Sequence, residues 1–125
     1  MMKVMVRLLQ YDMQEKTEIV VADTSGILRG DKLSYFEKEG IRHDILFGDD
    51  QVVLKRGGSF GSEVYLPQFG RGTGQVHSPY GTMRLETQLL HKEKTADRWT
   101  VEYQIVGTGG PVSHMKLVWY ITMQA

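Results

Sequence analysis

The chain contains no cysteine. Disulfides, thiolate metal sites and cysteine nucleophiles are excluded together, and their absence fits a reducing compartment. An excess of either charge is also lacking. The 15 Lys and Arg balance 15 Asp and Glu, so no concentrated positive charge exists for nucleic acid or an anionic membrane to bind. No stretch reaches the roughly 18 apolar residues of a spanning helix. The opening run Met1-Met2-Lys3-Val4-Met5-Val6-Arg7-Leu8-Leu9-Gln10 is too short and too interrupted for a signal peptide. A cytoplasmic protein with neither a nucleic-acid nor a membrane partner is expected. Ligand spacing is missing as well: His43, His77, His91 and His114 lie far apart, so no metal site is expected. Gly57-Gly58-Ser59-Phe60-Gly61 lacks the Lys and the following helix of a phosphate loop, and no Gly-x-Ser-x-Gly elbow occurs. No cofactor is expected.

Helical periodicity is absent too, and what remains is alternation. The C-terminal run places Ser113, Met115, Leu117, Trp119 and Ile121 on one face, with Val112, His114, Lys116, Val118, Tyr120 and Thr122 on the other. Before it, Trp99, Val101, Tyr103 and Ile105 alternate with Thr100, Glu102, Gln104 and Val106. Gly107-Thr108-Gly109-Gly110-Pro111 separates the runs as a turn, which reads as a hairpin. Upstream, the pattern predicts strands beginning around Val4 and over 18–28, 32–37, 41–47, 51–56, 63–69, 75–78 and 83–92, with Gly26 a candidate bulge.

The 125 residues make about one domain, 1–125, large enough to fold without staples. Many short strands joined by short turns point to an all-β sandwich or barrel. A single antiparallel up-and-down barrel of eight to ten strands is favoured, because closure removes exposed edges. Its expected core includes Trp119, Leu117, Met115, Trp99, Val101, Ile105, Leu85 and Leu89. The glycine-rich stretch 57–74 is the candidate mobile mouth loop.

Several short motifs carry a resemblance. Leu33-Ser34-Tyr35-Phe36-Glu37, Val53-Leu54-Lys55-Arg56-Gly57, Ser78-Pro79-Tyr80-Gly81, and Glu102-Tyr103 with Val112-Ser113 fall in the order found in the YwiB-like family of small bacterial proteins, which the chain resembles over almost its full length. The resemblance implies a calycin-like, lipocalin-related barrel and transfers no activity. The Gly-x-Trp signature of true lipocalins is absent near the N-terminus, so their ligand repertoire is not implied.

In a barrel with apolar residues inside, polar residues in register with them are the informative ones. His43 shares a face with Ile41, Ile45 and Phe47. It reads either as a ligand-contacting or acid–base histidine, or as a satisfied core histidine. Arg56 follows Val52 and Leu54 near a strand end, where a guanidinium needs a carboxylate partner, an anionic ligand or solvent. Tyr35 and Tyr103 read as core aromatics with hydroxyls seeking partners. His77 and Tyr80 flank a stiff turn that could line a mouth.

Arg56, Tyr35, Tyr103, His43, His77 and Tyr80 are therefore the candidate ligand-binding residues. The expected function is binding of a small, partly apolar molecule, with an anionic group as its candidate polar end, and no catalysis. The rivals are a small enzyme using the same Arg, Tyr and His, and a filled barrel acting as a protein-interaction module. Val106, Val118 and Tyr120, alternating outward, motivate a homodimer surface.

Overall fold

A computed structural model describes residues 1–37 and 40–124. The alternation becomes ten strands: β1 (Met2–Asp12), β2 (Thr17–Arg29), β3 (Lys32–Phe36), β4 (Arg42–Phe47), β5 (Gln51–Arg56), β6 (Ser62–Pro67), β7 (Arg71–Ser78), β8 (Gly81–Lys94), β9 (Arg98–Gly107) and β10 (Gly110–Met123). Every strand pairs antiparallel with its neighbour in sequence. The ladder from Val4↔Met123 to Asp12↔Met115 joins β1 to β10 and closes the barrel. The all-β, up-and-down expectation holds at ten strands. Among the described residues, no helix is long and apolar enough to cross a membrane.

Alternation sorts the side chains. Val4, Val6 and Leu8 of β1, Leu33 and Tyr35 of β3, Val101 of β9 and Trp119 of β10 are all buried in one core. Trp99, Val101, Leu117 and Trp119 sit inside as expected, with Met115, Ile105 and Leu89 packed partly buried against them. Leu85 is only half-buried and stands outside that cluster. Two of the three residues expected on an outward partner surface are not available to one. Val118 is 4 % and Val106 8 % exposed, while Tyr120 stays open. Leu9 and Thr100 flank Val118 on the neighbouring strands, and Glu86 and Pro111 flank Val106, so the chain covers both itself.

The glycine expectations are corrected. The stretch 57–74 is not one loop, because it contains all of β6 and the first half of β7. Gly72 is there for space. A Cβ on it would lie 2.1 Å from the Tyr65 carbonyl oxygen and 2.7 Å from Thr87 Oγ1. Its absence lets the fully buried Thr87 of β8 donate to the Tyr65 carbonyl of β6 at 2.6 Å, past the point where the β6–β7 ladder stops at Val64↔Gly74. Likewise Gly26 is not the bulge of β2. The register slips at Leu8/Leu9, opposite Val21, and Gly26 instead admits Ser34 O and Val6 at distances no Cβ tolerates.

The two ends of the barrel are built differently. At the end carrying the β4–β5 turn, the Phe47 and Trp99 rings pack 5.4 Å apart. A slip at Leu89/His91 in β8 brings Lys92 and Lys94 into register with the inward Val101 and Trp99. Lys92 Nζ donates to the carbonyls of Gly48 (2.8 Å) and Asp49 (2.6 Å). Lys94 pairs with Asp31 and lies 5.0 Å from the Trp99 ring. This end is filled and strapped. The opposite end carries the turns β1–β2, β3–β4, β5–β6, β7–β8 and β9–β10, and there the interior is hollow.

Candidate functional site

The hollow is a cavity of about 310 Å³ opening at that end. Leu8, Ile45, Leu54, Val64 and Leu117 supply its apolar wall, and Trp119, one inward position beyond Leu117, lies at its inner limit. Gln10, Glu37, His43, Arg56, Ser62 and Tyr103 supply its inward polar groups, and the outward-alternating Lys55 borders it. Three of the sequence candidates fall in a single cross-strand row. Tyr35 of β3 stands opposite His43 of β4, which stands opposite Arg56 of β5, with Ser62 of β6 next. Alternation made each of them inward-facing, and the antiparallel register put them side by side.

Glu37, just beyond β3, organises this row. His43 Nε2 hydrogen-bonds to Glu37 Oε1. Arg56 donates from Nη2 to Glu37 Oε2 at 3.3 Å and from Nε to Oε1 at 3.4 Å, and from Nη1 to the Phe60 carbonyl of the β5–β6 loop at 3.3 Å. Burial alone would raise the Glu37 carboxyl. The hydrogen bonds from Arg56 and His43 outweigh it and hold the group below its usual range, so it is a carboxylate at neutral pH. His43 is held below its ordinary value, mainly by burial, with Glu37 opposing. It is therefore neutral at neutral pH, and its proton sits on Nε2 because an ionised carboxylate can only accept. The three groups together carry one positive and one negative charge.

Of the three ends open to Arg56, a carboxylate partner, an anionic ligand or solvent, the structure shows the carboxylate, and the anion-site reading of this guanidinium is corrected. Arg56 does face the cavity mouth, but its charge is already matched within the chain, and its side chain is 37 % exposed. A strand-end arginine on an inward face solved its desolvation problem with a carboxylate one register row away.

The two tyrosines part company. Tyr35 is buried, stacks on the His43 ring at 4.9 Å between centroids, and accepts a hydrogen bond from Trp119 Nε1 at 2.9 Å. Burial pushes its phenol far up, and that hydroxyl is committed to holding β3 against β10. Tyr103 is buried too and lines the cavity. Burial pushes its phenol up to about 12. Among the described residues its hydroxyl makes no hydrogen bond, and since no sealed side-chain polar atom lacks a partner, that hydroxyl opens on the cavity.

His77 and Tyr80 do not join the site. Both belong to the β7–β8 turn region at the same end of the barrel, but His77 Nδ1 is 3.1 Å from Thr82 Oγ1 and Tyr80 is 96 % exposed. Neither lines the cavity. Three inward polar residues that do were missed from sequence: Ser62, Glu37 and Gln10. Glu37 continues the inward series Leu33–Tyr35, and Gln10 continues Val4–Val6–Leu8. A carboxylate and an amide extending apolar faces were the available signal. Among the described residues, no group of three His, Asp or Glu side chains could hold a metal ion.

Fold and cavity together define a closed ten-stranded β-barrel, filled at one end and hollow at the other. No family model matches the chain, and no curated protein matches it. Among solved structures it is similar to the crystal structure of the ywiB protein from Bacillus subtilis. The TM-score is 0.77 at 13% identity, covering 99% of this chain and 93% of that one. A YwiB-like fold is thereby shown, and at this identity the likeness extends to the fold alone.

Proposed function

We propose that the barrel is a binding protein for a small, partly apolar molecule, which enters at the hollow end beside Glu37 and Arg56 and seats its apolar part against Ile45, Leu54, Val64 and Leu117. The observation that supports this most is the cavity itself: about 310 Å³ of space beside a polar row, in a barrel whose other end is filled with side chains. That volume lies at the small end of ordinary ligand sites, and apolar walls with a few converging polar groups are their usual composition. Outward charges at mid-strand positions, among them Arg7, Asp44, Lys55, Glu102 and Lys116, favour work in water over a lipid-facing barrel. A cytoplasmic location accords with the lack of cysteine.

The test is a thermal-shift screen of small amphipathic compounds against the wild type and a cavity-filling Val64→Phe variant. Stabilising compounds should lose their effect in the variant. Compounds that stabilise both proteins equally would place binding outside the barrel.

One observation favours a second reading. A neutral histidine fixed by a carboxylate is the arrangement of a general base, and His43 with Glu37 has it inside the cavity. An acid–base enzyme on this site would lose turnover in His43→Gln while keeping ligand affinity.

A further inference from the structure

We propose that the ligand's buried head group is uncharged and presents a hydrogen-bond acceptor, such as an amide, ester or ketone carbonyl, to the Tyr103 hydroxyl. This rests on the cavity being a binding site.

Lys55 also borders the cavity, but it alternates outward between Leu54 and Arg56 and is exposed. The inward polar groups of the cavity divide into two sets. Glu37, His43 and Arg56 satisfy one another. The carboxylate accepts from the neutral His43 and from Arg56, Arg56 is charge-matched, and its third nitrogen is held by the Phe60 carbonyl. An anion seated here would either pull Arg56 away from Glu37 or add a second negative charge beside that carboxylate. The first strands a partly buried carboxylate and the second buries an unmatched charge, and both are costly. A cation would meet Arg56 in the same way. The second set comprises the Tyr103 hydroxyl, the Gln10 amide and the Ser62 hydroxyl, which line the cavity and are all uncharged. Tyr103 is the most exacting of them. The residue is buried, but its hydroxyl opens on the cavity and has no partner among the described residues, whereas the Tyr35 hydroxyl is taken up by Trp119. Raised by burial, it stays protonated and keeps its hydrogen to donate across the physiological range. A ligand carbonyl gives this open hydroxyl an acceptor without disturbing the neutral Glu37–His43–Arg56 set.

A matched pair of probes tests this. Octanamide and octanoate share a chain and a carbonyl and differ in charge at pH 7.5, and calorimetric titration reads both. Octanamide should bind at least about tenfold more tightly than octanoate to the wild type. Tyr103→Phe should weaken octanamide by about tenfold, the order of one hydrogen bond, and leave the melting temperature nearly unchanged because no intramolecular bond is lost. Glu37→Gln, which frees Arg56, should narrow or reverse the preference by strengthening octanoate. If octanoate binds the wild type more tightly than octanamide and loses its affinity in Arg56→Met, the uncharged head group is wrong while the cavity remains the site. If octanamide binds Tyr103→Phe as well as wild type, the tyrosine contact is wrong. If neither probe binds up to its solubility limit, both the head-group assignment and the binding function fall.

Discussion

The two ends of this barrel start from the same alternation and reach opposite states. At the closed end, inward positions carry Phe47 and Trp99, and two lysines lay their stems inward and tie their ammonium groups to Gly48, Asp49 and Asp31. Aromatic volume and flexible stems fill the space. At the open end, inward positions carry Gln10, Glu37, His43, Arg56 and Ser62. These groups cannot collapse onto one another without breaking the hydrogen bonds that fix Glu37 between His43 and Arg56, so the mouth keeps its shape. A barrel of this size can be filled or hollow, and here residue choice at a handful of end positions decides it separately for each end.

Substitutions that treat the two ends alike would break that contrast. The largest difference is expected between Trp99→Ala and Tyr103→Phe. Trp99 is 1 % exposed in the packed end, and truncating such a residue costs about 3–5 kcal/mol. Tyr103→Phe removes an oxygen without a partner among the described residues and should fall within about 0.5 kcal/mol of wild type, the range of substitutions that break no named interaction. Chemical denaturation of the two variants measures both, and a large loss in Tyr103→Phe would mean its hydroxyl is used structurally.

A smaller effect is expected from Glu37→Gln, about 1–2 kcal/mol. The variant leaves His43 and Arg56 with a weaker acceptor, but Arg56 reaches solvent and is partly compensated. An unchanged denaturation midpoint would show that the mouth does not depend on this carboxylate.

The smallest effect is in the pH dependence. The folded value of His43 lies below its ordinary 6.5, so the unfolded chain binds the proton more readily. Stability from this residue is therefore complete above about pH 6.5 and is lost as pH falls from there through the folded value. Glu37, also lowered in the fold, adds a second loss below its ordinary 4.5. His43→Gln should flatten the first decline and leave the second. Stability that rises as pH falls below 6.5 would mean that His43 is held protonated by Glu37.

The fold was legible because a period of two survives almost undisturbed in β9 and β10, where Trp99, Val101, Leu117 and Trp119 all point where alternation puts them. Strand limits moved mainly where glycine misled. Gly72 and Gly74 lie inside β7, serving close approach, and a local reading cannot tell that use from a turn. The bulge opposite Val21 depends on β1 and leaves no mark on β2 alone. For the site, single-residue reasoning found His43, Arg56 and Tyr103 by their polarity on apolar faces. It failed on their relations. The Glu37 partner of Arg56 and the burial of Val118 both follow from cross-strand register, which becomes fixed only when the barrel closes.

The central claim is that one end of the barrel is an exchangeable site and the other a permanent core. Methyl-resolved NMR during titration with octanamide compares them in one experiment. Shifts should concentrate on Leu8, Ile45, Leu54, Val64 and Leu117 around the cavity, while Leu33, Val52, Leu66, Val101 and Ile121 in the packed core stay in place. Shifts confined to outward methyls such as Ile27 and Val112, or spread equally over both ends, would contradict the account.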